Sequence, residues 1–138
     1  MSRFSRTVVA GSTLVVGVIV LAVFVCVPPA QAQVACGEVG NHVIKVAKGA
    51  STRLSDCQSA RISKKGKHSI TWQAQGNDTV TLEWGSKGNP FVGFTCKDQK
   101  QCKAADIDPN ASGSYKYSIV LKSGTQTYRE DPDVMIEP

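Results

Sequence analysis

Apolar and polar residues alternate along residues 113–122, and this alternation predicts a central β-strand. One face of the extended backbone carries large apolar or aromatic side chains, namely those of Tyr115, Tyr117, Ile119 and Leu121. The opposite face is polar except for Val120. Because a pair of strands is not stable alone in water, the other strand-like segments must pair beside this strand or pack across from it.

A second region of alternation predicts two further strands. Ile70, Trp72 and Ala74 alternate with polar residues, the turn residues 76–78 follow, and a second alternation then runs from Val80 to Trp84. This pattern fits either a β-hairpin or two strands that cross from one sheet to the other. In both cases the two tryptophans fall on the apolar face and are expected to anchor the core, since each buries about 150–250 Å². A ligand platform is the less favoured alternative.

Shorter segments supply the remaining strands. Val43, Ile44 and Val46 suggest a first strand, and residues 52–57 suggest a second. A last strand runs through residues 128–136, where Pro132 kinks or starts it because proline cannot donate to a central ladder. No segment beyond the N-terminal region shows a convincing helical period. About seven short strands separated by glycine, asparagine, aspartate and proline turns predict an all-β fold, an antiparallel Greek-key β-sandwich.

The N-terminus is organised like an export signal. Arg3 and Arg6 precede an uncharged apolar run over residues 8–27, and Ala30-Gln31-Ala32 offers the small residues that a signal peptidase requires. We predict cleavage after this motif, which leaves residues 33–138 as a single domain. The apolar run is long enough to span a bilayer, so an uncleaved membrane anchor over residues 8–27 is the alternative. Either way the remainder of the chain is exported, to the periplasm or outside the cell.

Export determines how the five cysteines are interpreted. Cys26 lies in the predicted signal segment, and the four that remain, Cys36, Cys57, Cys96 and Cys102, are an even number in an oxidising compartment. Four cysteines permit three pairings. Closeness in sequence favours Cys36 with Cys57 and Cys96 with Cys102. A four-thiolate zinc site is disfavoured, because the tight two-residue knuckles of such sites are absent.

The net charge of +5 at pH 7 is only mildly basic, and removal of the signal segment would take two positive charges with it. This balance is too weak to indicate a nucleic-acid partner. Four basic residues nevertheless cluster in one segment, namely Arg61, Lys64, Lys65 and Lys67. The functional interpretation is a patch that attracts polyanions such as envelope lipids or polysaccharide. The ordinary interpretation is a solvated loop whose lysines discourage edge pairing, and the sequence favours it because no second basic cluster or aromatic residue adjoins.

One motif carries a family resemblance. Gly113-Ser114-Tyr115-Lys116-Tyr117-Ser118-Ile119 resembles the Gly-x-Tyr-x-Phe/Tyr-x-Cys strand that leads into the copper loop of cupredoxins. Residues 70–73, 80–84, 89–91 and 131–136 are also similar to small exported bacterial proteins of cupredoxin-like type. The resemblance covers about residues 69–137 and implies a cupredoxin-like or immunoglobulin-like sandwich.

The resemblance does not extend to the metal ligands. Ile119 stands at the position of the copper thiolate, and no histidine or methionine follows it within a ligand loop. The histidines after the signal segment, His42 and His68, lie where the family places no ligand. Asp106-Ile107-Asp108-Pro109-Asn110 alternates oxygen ligands as a calcium loop does, but Ala111 replaces the required glycine, so we predict a turn. We therefore predict no metal and no cofactor.

No catalytic motif is apparent either. Four disulfide-bonded cysteines would leave no thiol nucleophile, and neither a Gly-x-Ser-x-Gly elbow, a zinc-protease helix nor a phosphate-binding glycine loop occurs. We expect a non-catalytic exported binding or structural module, not an enzyme, whose unknown partner is an envelope protein or an anionic surface recognised by loops or a sheet edge. Contact with a membrane is expected only through the N-terminal segment if it stays attached. The alternatives are a metal-binding redox protein of cupredoxin type and an inhibitor of a secreted hydrolase that presents the Cys96–Cys102 loop.

Overall fold

Two β-sheets of unequal size form the part of the chain that the structure describes. The structure is a computed structural model, and it describes residues 35–49 and 53–138. These ranges contain no helix and eight strands, which are β1 His42–Val46, β2 Ser59–Ser63, β3 Ile70–Ala74, β4 Thr79–Trp84, β5 Gln101–Ala104, β6 Gly113–Ser123, β7 Gln126–Glu130 and β8 Asp133–Glu137. The predicted signal peptide over residues 1–32, with its alternative as an anchor, lies outside the described residues.

The strand order confirms the all-β sandwich. The smaller sheet has the order β1-β3-β5, and the larger has the order β2-β8-β6-β4 with β7 also beside β6. The prediction of an antiparallel fold needs correction in one respect, since β1 pairs with β3 in parallel and β2 pairs with β8 in parallel. Both pairs join strands that are not connected by a tight turn, which is what parallel pairing requires.

The strand β6 lies at the centre of the larger sheet, as predicted. Its side chains at Tyr115, Tyr117, Ile119 and Leu121 are all buried. β4 pairs along one side of β6, while β8 pairs with its first half and β7 with its second half on the other side. Pro132 separates β7 from β8 because it has no N–H to donate to the ladder, and the predicted last strand is therefore two strands.

The region from Ile70 to Trp84 crosses between the sheets, so the crossing prediction is correct and the hairpin alternative is wrong. β3 belongs to the smaller sheet and β4 to the larger. Trp72, at the centre of β3, is fully buried, whereas Trp84, at the end of β4, remains partly exposed.

The prediction for residues 52–57 was wrong. Within this stretch the structure describes residues 53–57, where only Ser55 forms an isolated bridge, with Val46. The second strand of the chain is instead β2, which includes Arg61 from the predicted basic loop. β2 has only two buried apolar side chains, Ala60 and Ile62, between polar neighbours, and this short alternation is easily missed in sequence.

A hydrogen bond in the aromatic core joins the two sheets. Trp72 Nε1 of β3 donates to the hydroxyl of Tyr117 in β6 at 3.0 Å. Burial raises the pKa of Tyr117 well above its ordinary value, the bond from Trp72 opposes this rise, and Asp133 and Glu130 add to it. The hydroxyl therefore stays neutral. The rings of Trp84, Phe91 and Phe94 pack around this pair, with centroid separations between 5.2 and 6.5 Å.

Both disulfides fasten segments that cover sheet edges. Cys36 pairs with Cys57 and Cys96 pairs with Cys102, the same two pairs that the sequence favours. The first bond adjoins residues 54–56, which lie along the edge of β1. The N–H of Ala47, directly after β1, donates to Leu54 O at 2.8 Å. The second closes residues 96–102, of which residues 96–99 lie along the edge of β4. Two disulfides indicate an oxidising, exported environment.

We expect Tyr117→Phe to destabilise the protein by about 1–3 kcal/mol, because it leaves the buried indole N–H of Trp72 without a partner. Urea unfolding followed by tryptophan fluorescence measures the loss. Tyr128→Phe is the matched control: its hydroxyl bonds the exposed Gln126, and its removal should change stability by less than about 0.5 kcal/mol. Equal effects of the two substitutions would show that the bond between the sheets does not stabilise the fold.

Candidate functional site

The predicted basic cluster is divided between a strand and a turn. Arg61 lies in β2 and forms an ion pair with Glu137 of β8 at 2.5 Å, so its charge is balanced within the larger sheet. Lys64, Lys65 and Lys67 lie in the turn that leads from β2 to β3. Lys64 Nζ donates to the backbone oxygen of Pro109 at 3.1 Å, which connects this turn to the segment between β5 and β6.

A groove of about 700 Å³ lies between these two connections. Lys64 and Lys67 line one wall, and the other wall is residues 105–109, which contribute Ala105, Asp106, Ile107 and Pro109. The second wall is thus mostly apolar and carries one carboxylate. Lys67 Nζ has no side-chain partner among the described residues. We call this feature the basic groove.

The turn that carries the lysines has a constrained shape. Lys67 has a φ of 49°, a left-handed conformation that is unfavourable for a residue with a Cβ. The ring of His68 folds over Gly66, where an added Cβ would lie 2.3 Å from His68 Nε2. His68 Nδ1 also accepts the N–H of Ser63 at 3.2 Å. Glycine at position 66 therefore allows the imidazole to close the turn and place Lys67 at the groove.

Charges on the outer face of the larger sheet are paired. Besides Arg61 with Glu137, the ion pairs are Lys116 with Asp133 at 3.0 Å, Lys122 with Asp98 at 2.6 Å, and Arg129 with both Glu83 at 2.8 Å and Asp131 at 3.6 Å. By contrast, the lysines of the smaller sheet, Lys45 and Lys103, are exposed and have no side-chain partner among the described residues. The unpaired positive charge is therefore concentrated on the smaller sheet and the connections beside it.

These ion pairs lower carboxyl pKa values. The hydrogen bond from Lys122 is the largest influence on the pKa of Asp98. Desolvation, the next largest, raises this pKa, but the charge of Lys122, a hydrogen bond from Thr81 and the charge of Lys97 also lower it, so it stays below the ordinary value. Partial burial would raise the pKa of Asp133, but hydrogen bonds from Ser59 and Lys116 and the charge of Lys116 outweigh it, so this pKa is also lowered.

The two histidines occupy separate structural positions. His42 is buried, with its Nε2 2.9 Å from Arg61 O and 3.1 Å from Glu38 O. His68 closes the lysine turn. Among residues 35–49 and 53–138, no three His, Cys, Asp or Glu side chains are grouped so that they could hold a metal ion. Ile119 is fully buried in β6.

The Cys96–Cys102 loop is attached to the larger sheet. Val80 N–H donates to Gln99 O at 2.8 Å, and Leu82 N–H donates to Cys96 O at 3.0 Å. The backbone of this loop therefore completes the edge of β4.

Comparison with known proteins does not assign the chain to a family. No protein-family model matches the chain, and no curated protein matches it. Within the described part of the chain, no helix is long and apolar enough to cross a membrane.

One wall of the basic groove is evident in the sequence, and the other is not. The lysine turn is evident as a run of charges, whereas the segment of the other wall was predicted only as a turn, over residues 106–110. The sole local signal in that segment is Ile107, an apolar residue among polar ones, which is half-buried in the groove wall. The unpaired Lys103 is isolated in sequence, so its place near the groove depends on the pairing of β5.

We expect Gly66→Ala to destabilise the protein by about 0.5–1.5 kcal/mol, because the new methyl group displaces His68 and breaks its bond with Ser63 N–H. In a His68→Ala background the same substitution should be neutral or slightly stabilising, since the ring is gone and alanine restricts the unfolded chain. Thermal unfolding of the four variants of this cycle measures the coupling. Equal effects of Gly66→Ala in both backgrounds would exclude the role given to His68.

We expect Asp133→Asn to destabilise the protein at pH 7 by up to about 1 kcal/mol, the range of a solvent-accessible ion pair. The pKa of Asp133 is lowered in the folded state, so its contribution is present above the unfolded pKa of about 3.9 and is lost as the pH falls through the folded pKa. The difference in unfolding free energy between variant and wild type should therefore shrink towards zero in acid. Urea unfolding at pH 7 and at a pH below the folded pKa of Asp133 measures this difference.

Asp106→Asn is the control for this experiment, because Asp106 is exposed and forms no ion pair among the described residues. A difference between Asp133→Asn and wild type that persisted unchanged in acid would contradict the electrostatic explanation.

Proposed function

We propose that this protein is an exported, non-catalytic binding module that holds an anionic group of a cell-envelope component in its basic groove. The observation that carries the proposal is the groove itself, in which the ammonium groups of Lys64 and Lys67 border a mostly apolar wall. Such a site attracts a negative charge over a distance and can also bury adjoining apolar atoms. The compartment we propose is the periplasm or the cell exterior.

The conformation of Lys67 supports this role. A left-handed residue with a side chain is less stable than glycine in the same place by about 1–2 kcal/mol. Turns that need this conformation usually employ glycine or asparagine. A lysine held at φ 49° beside a groove is therefore a local strain that fits a functional constraint on the side chain.

Strand addition is blocked at three of the sheet edges, those of β1, β2 and β4. Residues 54–56 lie along β1, residues 96–99 lie along β4, and Gly40 N–H donates to Arg61 O on the outer side of β2 at 3.1 Å. A partner strand would find these backbone groups already paired.

The scaffold we propose is cupredoxin-like and has no type 1 copper centre. The resemblance of residues 113–119 to the cupredoxin strand supports the first part, together with the central place of β6 in a two-sheet fold. The aliphatic side chain of Ile119 supports the second, because it supplies no sulfur ligand. Binding is then the remaining function for the connections at the edge of the sandwich.

Binding of the purified protein to anionic probes tests this function. We expect it to bind at least one of phosphatidylglycerol vesicles, lipopolysaccharide and polygalacturonate, with an affinity that falls as salt is added. Lys67→Asn should weaken binding about twofold to fivefold, the effect of one surface charge. Asparagine tolerates the left-handed conformation, so the turn should keep its shape.

Lys45→Gln is the matched control, because Lys45 is an exposed lysine of β1 that does not line the basic groove. Failure to bind every probe at low salt would overturn the proposed function. Equal weakening by Lys45→Gln and Lys67→Asn would show that binding depends on net charge and not on the groove.

A further inference from the structure

The basic groove is the first of three adjoining grooves. A second groove of about 340 Å³ shares the lining residues Ala105 and Asp106 with it. A third groove of about 450 Å³ shares Phe94 and Thr95 with the second. Because neighbouring grooves have residues in common, they form one continuous depression, which we call the basic tract.

Lysines occur along the whole of the basic tract. Lys64 and Lys67 line the first groove, Lys103 the second and Lys97 the third. Among the described residues, the ammonium groups of Lys67 and Lys103 have no side-chain partner, and Lys97 interacts only with Asp98, a carboxylate already paired with Lys122 at 2.6 Å. Their charges are therefore available to a ligand at intervals along the tract and not only at one end.

The carboxylates of the tract do not cancel this charge. They are Asp106, in the first two grooves, and Glu83, in the third. Glu83 is paired with Arg129 at 2.8 Å, an arginine that also lies 3.6 Å from Asp131. Four lysines against these two carboxylates leave the tract with a net positive charge.

Apolar surface accompanies the charges. Trp84 and Phe94 line the third groove and are both partly exposed. Val92, beside the second groove, is 60% exposed and is among the most exposed large apolar side chains that the structure describes. Exposed aromatic side chains can pack against the C–H groups on one face of a sugar ring while the hydroxyl groups at its rim stay hydrated.

We propose that the basic tract binds an extended acidic polysaccharide, a chain of sugar units bearing carboxylates, which lies across all three grooves. This inference rests on the proposed function and specifies its ligand. A single anion would use only the first groove, whereas repeated carboxylates match lysines that are distributed along the tract. The sugar rings stack on Trp84 and Phe94, and the hydroxyl of Thr95 is available for hydrogen bonds with the sugar hydroxyls.

The tract fits a polysaccharide better than an acidic peptide. An extended peptide gains most of its affinity from main-chain hydrogen bonds to an open sheet edge. Beside the tract, Val92 N–H already donates to Asp106 O at 2.8 Å, and Phe91 bridges to Ile107, so the loop that begins at Phe91 already pairs with the segment directly after β5. A sugar chain has no need of such an edge.

Affinity for galacturonate oligomers of increasing length, measured by calorimetry at low salt on the full exported protein, tests this inference. We expect affinity to rise with length beyond the disaccharide. Lys97→Gln and Lys103→Gln should each weaken binding of long oligomers about twofold to fivefold and leave binding of the disaccharide unchanged. Lys67→Asn should weaken both, and Lys45→Gln should weaken neither. These lysines are exposed, so their substitution should leave the fold intact.

The outcomes separate the inference from the function on which it rests. Three results would overturn the polysaccharide as the ligand and leave the basic groove as an anion site. They are an affinity independent of oligomer length, no effect of Lys97→Gln and Lys103→Gln, and equal affinity for poly-glutamate of matched charge. Binding to anionic vesicles without binding to any galacturonate would do the same. No binding to any anionic probe would overturn both.

Discussion

The hydrogen bond from Trp72 to Tyr117 is the contact on which the arrangement of the two sheets depends. It joins the centre of β3 to the centre of β6 within a core where an unpaired polar atom would be strongly destabilising. The bond has a direction, so it fixes how β3 lies over β6 in a way that apolar packing alone does not. The surrounding aromatic rings then fill the space that this geometry leaves.

The site follows from the same constraint. The lysine turn over residues 64–67 is the connection that enters β3, and residues 105–112 are the connection that enters β6. Once these strands are fixed relative to each other, their entrances are also brought together, and the contact from Lys64 to Pro109 joins them directly. The basic groove therefore forms because the core contact brings these two connections together at the surface.

Charge is divided between structure and function in a consistent way. On the larger sheet, lysine and arginine side chains bind carboxylates of neighbouring strands or loops. Beside the smaller sheet, lysines have been left without such partners. Pairing satisfies the charges that hold strands in register, and the unpaired charges remain available to a ligand.

The sequence predicted the features that depend on local alternation and could not predict those that depend on long-range pairing. β6 and the two disulfides were identifiable, because alternation over many residues and closeness of cysteines are visible in the chain. The same alternation around Trp72 and Trp84 fits a hairpin or a crossing, so only the structure could decide between them. β2 was missed because Ala60 and Ile62 are its only buried apolar residues.

The groove escaped prediction for a related reason. Its walls are far apart in sequence, and neither the lysine turn nor residues 105–109 show the other's presence. Lys97 and Lys103 likewise appear as scattered surface charges until the pairing of β5 and the cover of β4 are known. The depression between the two walls depends on contacts such as that of Lys64 with Pro109, which a run of lysines in the sequence does not reveal.

Chemical-shift mapping on isotope-labelled protein is the most direct measurement, with polygalacturonate added stepwise at low salt. Binding in the basic groove should move the backbone amide signals of residues 64–67 and of residues 105–108 together, while those of Lys116 and Lys122 on the larger sheet stay in place. Shifts confined to the larger sheet, or none at saturating polymer, would contradict binding at this groove.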